Sequence, residues 1–203
     1  MAKTSVSTAA GRVFDRAYYR RYYEDASTRV ATARDYALLA RFIAAYVGLL
    51  GLPVASVLDL GAGTGVLLRA LRRHYPAARL HGVDVSEHAC ERHGWERASV
   101  TAYQDGCWDL VLCNDVLQYL PPREAARAIA NLAARCGSVL YFSALAEEDW
   151  ARNCDRSRTD AAVHLRPAHW YASRLARHFR NLGGGLFLRR GAPATCFALH
   201  ALD

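Results

Sequence analysis

The sequence predicts an α/β fold in which helices cover both faces of a doubly wound, mostly parallel sheet of seven strands. Apolar runs that read as strands alternate with helical patterns between residues 56 and 181, and parallel neighbours need such crossover connections. The last two apolar runs are joined only by GAPA, which is typical of an antiparallel hairpin at a sheet edge. Residues 12–50 have helical spacing in two segments, so an N-terminal helical cap is expected to precede the sheet.

The boundaries of the predicted elements follow from hydrophobic periodicity. In the cap, the two helical segments are separated near DAST, where Ser27 or Thr28 is expected to cap the second helix. We expect a helical cap at residues 1–52 and a sheet-based core at 53–203. Strands are predicted at 56–61, 79–84, 98–103, 108–113, 137–144, 185–190 and 195–201, and helices at 65–75, 86–93, 122–135 and 168–181.

Composition indicates one buried core and favours a reducing compartment. The 203 residues are 52% hydrophobic, which fits one domain with a small appendage. The first residues do not read as a secretory signal and no 18-residue run lacks charges, so no membrane partner is expected. The six cysteines form no C-x-x-C pair, which favours free thiols in the cytoplasm.

The formal net charge of +7 has two interpretations. All but one of the 26 basic residues are arginines, and they are scattered through the chain. Compositional bias is the favoured interpretation, and an anionic partner is the alternative. Because no recognition motif accompanies the arginines, we expect no nucleic acid partner.

A glycine-rich stretch directly after the first predicted strand indicates a ligand-binding loop. Gly61, Gly63 and Gly65 would let a ligand approach the backbone without meeting a Cβ atom. Asp84 ends the next predicted strand, where a carboxylate can accept two hydrogen bonds from a ribose diol. A dinucleotide site would need glycine where Val66 stands. The loop and the acid together therefore indicate an adenosine-type ligand.

Three stretches of the chain carry a resemblance to a known family: VLDLGAGTG at 57–65, LHGVDVS at 80–86 and WDLVLCNDVLQYL at 108–120. In their order and spacing the sequence resembles the class I S-adenosylmethionine-dependent methyltransferases, and the strand pattern extends the resemblance over roughly residues 53–203. This resemblance implies a Rossmann-like fold, S-adenosylmethionine as the cofactor and methyl transfer as the reaction.

The resemblance also implies roles for residues at the carboxyl ends of the strands. Asp84 would bind the ribose hydroxyls, Val85 would pack on the adenine face and Asn114 would lie beside the transferred methyl group. An acid after the third strand, matched here by Asp105 with Gln104 as the alternative, would bind the adenine amino group. The methionine end would be held by Asp59 and by the loop residues Gly61, Ala62, Gly63 and Gly65.

Contrast with other methyltransferase classes leaves a small molecule as the expected acceptor. The stretch 114–116 lacks the Pro-Pro-aromatic sequence of amino-methylating nucleic-acid enzymes, and no Pro-Cys pair indicates pyrimidine methylation. Glu147 and Glu148 are adjacent, unlike the glutamates of protein arginine methyltransferases. Asn114 and Asp115 reverse the ligand order of catechol-type sites, so no metal is expected.

Two segments outside the predicted sheet supply candidate substrate residues. The stretch FDRAYYRRYYED forms an aromatic ridge when helical, from which Tyr19 and Tyr23 are expected to contact the substrate. The alternative is that this ridge only docks the cap on the core. The polar stretch 149–175 interrupts the α/β alternation, and His169 and Trp170 are its candidate substrate contacts.

His164 and Asp160 form the candidate catalytic pair of the same polar stretch. A base is needed only for an acceptor that starts protonated, and an unperturbed imidazole has a pKa of about 6.5. Asp160 would orient His164, whereas the alternative makes each histidine a surface or structural group. A catalytically silent methyltransferase-like subunit that binds cofactor and supports a partner also stays open.

Overall fold

The computed structural model describes residues 14–194 and 196–202 and has a seven-stranded sheet at its centre. Its strands are β1 (Ser56–Leu60), β2 (Arg79–Asp84), β3 (Glu96–Arg97), β4 (Trp108–Asn114), β5 (Cys136–Ser143), β6 (Phe179–Gly183) and β7 (Leu186–Arg189). They lie in the order β3-β2-β1-β4-β5-β7-β6. The first five of these neighbours are parallel, and β7 is antiparallel to both β5 and β6. The predicted fold class is confirmed.

Helices and short turns connect the strands. The α-helices are α1 (Arg16–Tyr19), α2 (Ala33–Leu49), α3 (Val66–Arg72), α4 (Glu87–His93), α5 (Pro122–Arg135), α6 (Glu147–Arg152) and α7 (Ala168–Leu175). A π-helical turn, Arg20–Glu24, continues α1, and 3₁₀ turns lie at Leu117–Tyr119 and Ala198–His200. None of the helices within the described part of the chain is long and apolar enough to cross a membrane.

Alternate residues of the central strands supply two separate hydrophobic clusters, because successive side chains of a strand point to opposite faces. Leu110 and Leu112 of β4 belong to the cluster that contains α2 and α3. Val111 and Cys113 of the same strand belong to the cluster that contains α5 and α7. The near-continuous apolar sequence of β4 thus reflects burial on both faces, as expected for a parallel sheet covered by helices.

Helix α2 begins later than its sequence predicts. Thr32 is its N-cap: the Thr32 hydroxyl accepts from the Asp35 backbone N–H at 3.3 Å, and the Asp35 carboxylate accepts from the Thr32 N–H at 2.8 Å. Ser27 instead donates to the carboxylate of Asp25 within a turn, and the Thr28 hydroxyl donates to the backbone of Arg21. The predicted cap at Ser27 or Thr28 is therefore wrong, because both hydroxyls hold the preceding turn.

The C-terminal hairpin exists, but its strands differ from those predicted. The helix predicted at 168–181 ends at Leu175, and β6 and β7 form the hairpin instead of the runs 185–190 and 195–201. Phe179 and Leu182 have helical spacing, yet they lie in the two different clusters, because side chains three positions apart in a strand point to opposite faces. The turn uses glycines 183–185, all with positive φ, a conformation that glycine adopts without strain.

We predict that α2 is an integral part of the core rather than a detachable cap helix. Ile43 is fully buried in the hydrophobic cluster that also contains α3, whereas Leu38 on the same helix is 55% exposed. Ile43→Ala should lower the free energy of unfolding by about 2–5 kcal/mol, and the matched control Leu38→Ala by less than about 0.5 kcal/mol. Urea unfolding measures both, and equal losses would contradict this placement. The division at residue 52 stays a prediction.

Candidate active site

A cavity opens at the carboxyl ends of β1, β2 and β4, where the strand order reverses direction. Ligands of open α/β sheets bind at such a switch point. The cavity encloses about 700 Å³ of empty space, part of it open to solvent. We name it the loop cavity, and it is lined by Phe14, Tyr18, Tyr19, Tyr23, Gly61, Gly63, Asp84, Val85, Ala98, Ser99, Val100, Asn114, Asp115, Val116, Tyr119 and Leu120.

The glycine loop forms one wall of this cavity, and its geometry requires glycine. Gly61 has φ of +93°, and a Cβ atom added there would lie 2.2 Å from Cγ2 of Val116. The loop is braced from behind by Trp95, whose Nε1 donates to the carbonyl of Gly63 at 2.9 Å. A Cβ atom on Gly65 would lie 2.3 Å from the Trp95 ring. Sequence reasoning missed Trp95, because nothing in its local pattern points to a loop 30 residues away.

Asp84 connects the end of β2 to the glycine loop. One carboxylate oxygen accepts from the Gly63 backbone N–H at 2.7 Å, and the other accepts from the Ser86 N–H at 2.8 Å. The side chain is only 6% exposed. Burial raises its pKa, while the hydrogen bonds from Ser86 and Gly63 oppose that rise. The carboxylate therefore lies at the cavity wall with both oxygens already engaged by backbone donors.

Asp59 of β1 lies behind this wall and is the most perturbed acid of the site. It is 4% exposed, and burial, followed by the charge of nearby Asp84, raises its pKa to about 7. A nearby cation would favour the ionised form of Asp59. The buried side chain is therefore suited to bind a positively charged group. Asp59 and Asp84 thus form an electrostatically strained pair next to the glycine loop.

The aromatic ridge, residues 14–24, covers the loop cavity. The Ser86 hydroxyl donates to the backbone carbonyl of Phe14 at 2.5 Å, which ties the start of the ridge to the end of β2. The hydroxyls of Tyr18 and Tyr119 lie 2.9 Å apart. Tyr19 is 5% exposed. The π-helical turn that follows α1 adds Tyr23 to the same wall.

A second cavity lies on the other side of the Tyr18 and Tyr119 rings, with about 730 Å³ of empty space. We name it the tyrosine cavity. It shares Tyr18, Tyr23, Asp115 and Tyr119 with the loop cavity. Its other described lining residues are Tyr22, Val30, Ala31, Tyr36, Gln118, Leu145, Cys154, Thr159, Asp160 and Val163.

Residues 19–186 match the family described as methyltransferase domain.

The chain belongs to this methyltransferase family.

Two methyltransferases that are similar in sequence agree with that assignment. Trans-aconitate 2-methyltransferase of Deinococcus radiodurans is 33% identical over 108 residues, which are 49% of this chain and 41% of that protein. Ubiquinone biosynthesis O-methyltransferase of Methylococcus capsulatus is 30% identical over 122 residues, which are 53% and 49% of the two chains. The matches thus span less than half the length of these relatives.

A solved structure supports the fold. Magnesium protoporphyrin IX methyltransferase from Synechocystis PCC 6803, crystallised with bound S-adenosylmethionine, has a TM-score of 0.55 and is 19% identical. The alignment covers 85% of this chain and 90% of that one. At this identity the likeness shows the fold alone. With the family match, the resemblance read from the sequence and S-adenosylmethionine as the family's cofactor are confirmed.

The loop cavity of this family member suits such a cofactor. Five of the expected cofactor residues line it: Gly61, Gly63, Asp84, Val85 and Asn114. The other loop residues shape it from behind: the Ala62 N–H donates to the carbonyl of Val83 at 3.0 Å, and the Gly65 N–H to that of Ala62 at 2.7 Å. The positive φ of Gly61 and Gly63 leaves a bare backbone edge in the wall, which suits close approach of a ligand.

The expected adenine contacts need correction. Asp105 and Gln104 are exposed and precede β4, so they lie towards its amino end, at the opposite edge of the sheet from the glycine loop. The error came from the strand predicted at 98–103, because the strand present is Glu96–Arg97. The residues that follow it, 98–100, line the loop cavity. Ser99 is therefore the polar side chain at the position where an acid was expected.

Three residues of the polar stretch also need correction. His164, His169 and Trp170 are absent from the described walls of both cavities. The backbone N–H of His164 donates to the carbonyl of Gln118 at 2.7 Å, and His169 is exposed on α7. The Trp170 ring is covered by the guanidinium of Arg174 at 3.7 Å. These positions support structural roles, whereas Asp160 lines the tyrosine cavity.

We predict that Asp84 governs cofactor affinity. Asp84→Asn puts an amide N–H₂ against one of two backbone N–H donors and removes the charge, so affinity for S-adenosylhomocysteine should fall at least about tenfold. Asp105→Asn, at the opposite edge of the sheet, should leave that affinity unchanged. Titration calorimetry measures both. Equal binding by the wild type and Asp84→Asn would contradict the role, provided that circular dichroism shows both to be folded.

We predict that Asp59 makes the stability of the ligand-free protein fall with rising pH. The folded protein holds the Asp59 proton up to about pH 7, whereas the ordinary pKa is 3.8. The stabilising contribution is therefore complete below about pH 3.8 and is lost as pH rises through about 7.

Asp59→Asn should flatten this dependence. Between pH 5 and 7, the free energy of unfolding of wild type relative to Asp59→Asn should fall by up to about 1.4 kcal/mol per pH unit. Urea unfolding at each pH gives the slopes, with Asp105→Asn as the exposed control. Parallel slopes for wild type and Asp59→Asn would show that Asp59 ionises normally.

Proposed function

We propose that this chain is an active S-adenosylmethionine-dependent methyltransferase that methylates a small-molecule acceptor. The observation that carries this proposal is the pair of adjoining cavities: one is built on the glycine loop and Asp84, and the other shares Tyr18, Tyr119 and Asp115 with it. A transferase needs two such neighbouring spaces, one for the donor and one for the acceptor. The named relatives act on trans-aconitate and in ubiquinone biosynthesis, which supports an acceptor of small size.

In this proposal the loop cavity holds the cofactor. The backbone of the glycine loop and Asp59 receive its charged methionine end, since a buried acid with a raised pKa gains from a positive neighbour. Asp84 receives the ribose hydroxyls, and Val85 and Ser99 lie on the adenine side. When bound, S-adenosylmethionine supplies a sulfonium methyl group that a nucleophile displaces in line while the sulfur keeps the electron pair of the broken bond.

The protein then has to position the acceptor and to exclude water from the cofactor. Held in near-attack geometry, an acceptor gains up to roughly 7–11 kcal/mol from orientation alone. The buried rings of Tyr18 and Tyr19 cover the loop cavity, and the Tyr18–Tyr119 hydroxyl pair closes the side towards the tyrosine cavity. Tyr19 lines the loop cavity and Tyr23 lines both cavities, so both act as covering residues rather than as chemical groups.

The alternative of a catalytically silent subunit is less well supported. A subunit that only binds cofactor has no need for a second polar cavity next to the first. In this chain the second cavity contains Asp115, Gln118 and Asp160 in its walls. Gln118 and Asp160 are buried, and burial of polar side chains is costly, so their presence in a cavity wall favours an acceptor site.

The proposal is tested by cofactor turnover. The protein is incubated with S-adenosylmethionine and separate pools of phenols, carboxylates, amines and thiols, and release of S-adenosylhomocysteine is followed. We expect one pool to raise release well above the acceptor-free rate, and Asp84→Asn to abolish the increase. Tight binding of S-adenosylhomocysteine without turnover in any pool would instead identify the silent subunit.

A further inference from the structure

The tyrosine cavity has an unusual set of side chains in its walls. Five tyrosine rings line it, together with two carboxylates. None of the described residues that line it is a lysine, arginine or histidine. An arrangement of aromatic faces and acids is typical of sites that bind positively charged nitrogen.

Asp115 is the acid that faces both cavities. Its φ of +56° makes it the one non-glycine residue with positive φ in the described chain, and such strained positions cluster at functional sites. Its carboxylate accepts from the Asn114 amide at 3.1 Å and from the Ser143 hydroxyl at 3.1 Å. Both partners are uncharged, so they orient the carboxylate without neutralising it. Desolvation by the surrounding protein raises the pKa of Asp115 above its usual value, and these two hydrogen bonds oppose that rise.

The tyrosine rings remain neutral and close together. The ring centroids of Tyr18 and Tyr22 are 5.0 Å apart, and those of Tyr18 and Tyr23 are 6.1 Å apart. Burial raises the pKa of Tyr36 to about 12 and that of Tyr23 well above its usual value. Neutral phenol rings present the negative face of their quadrupole, which attracts a cation within about 6 Å.

Gln118 adds a hydrogen-bond acceptor to the same wall. Its side chain is 4% exposed, and its Oε1 has no hydrogen-bond partner among residues 14–194 and 196–202. A buried carbonyl oxygen without a partner is destabilising. A ligand that donates from N–H groups would satisfy it, which a carboxylate ligand cannot do.

We propose that the tyrosine cavity binds a methyl acceptor that carries an amine, with Asp115 and Gln118 accepting from its protonated nitrogen as a recognition contact and the tyrosine rings surrounding its apolar part. This inference rests on the proposed function. It separates the chain from a relative whose named substrate, trans-aconitate, is a polycarboxylate, because a carboxylate placed here would face the charge of Asp115. Repulsion between two negative charges disfavours binding.

The test compares three probes that share a phenol ring and differ in charge. Tyramine is a cation, 4-ethylphenol is neutral and 3-(4-hydroxyphenyl)propanoate is an anion. Each is titrated by calorimetry into protein saturated with S-adenosylhomocysteine. We expect tyramine to bind at least about tenfold more tightly than the anion, with 4-ethylphenol between them.

Asp115→Asn is the informative variant, since asparagine tolerates positive φ and keeps the shape of the side chain. It should reduce tyramine affinity about tenfold and leave 4-ethylphenol affinity nearly unchanged, whereas Asp105→Asn should change neither. Binding of S-adenosylhomocysteine is measured separately, and its loss in wild type would count against the proposed function. If that binding is intact and the anion equals tyramine, if Asp115→Asn has no effect, or if none of the probes binds, the inference is wrong.

Discussion

The hydrogen bonds accepted by Asp84 join the three parts of the molecule that meet at the loop cavity. Through Gly63 the carboxylate fixes the glycine loop that follows β1, and through Ser86 it fixes the N-cap of α4. Ser86 in turn donates to the backbone of Phe14, where the aromatic ridge begins. One buried carboxylate at the end of β2 thus sets the position of the loop, the following helix and the ridge. Charged acceptors form stronger hydrogen bonds than neutral ones, so an acid serves this position better than an amide.

Periodicity and short motifs predict most of this fold, because the central strands and their helices obey local rules. The bounds of β2 and α5 agree with the predicted ones, and the glycine loop lies where the motif places it. The errors share one cause. Apolar spacing does not show where a strand stops or which partner it finds, so the third strand was placed at 98–103 and β6 was read as part of a helix. Because of the first error, Asp105 is expected at the carboxyl ends of the strands, whereas it lies before β4, at the amino ends.

The parts of the site that sequence reasoning missed depend on contacts between distant segments. Asp115 stands next to the predicted Asn114, yet its positive φ and its contact with Ser143 appear only in three dimensions. Gln118 follows in a 3₁₀ turn, where no periodic pattern distinguishes a buried residue from an exposed one. The polar stretch 149–175 was expected to supply histidines, but it contributes Asp160 to a cavity wall while His164 contacts the turn through its backbone.

The acids and the tyrosines of the site respond differently to pH. Burial raises the pKa of Tyr18 and Tyr19, so the ridge that covers the loop cavity carries no charge that changes near neutral pH. Burial also raises the pKa of Asp59 and Asp84, and these groups change charge closer to neutrality. Proton uptake by these acids therefore alters the field in the loop cavity, whereas the tyrosines of the ridge stay neutral. A positively charged ligand that enters this cavity shifts the two acids towards their ionised forms, so ligand binding relieves part of the cost of keeping carboxylates buried beside the glycine loop.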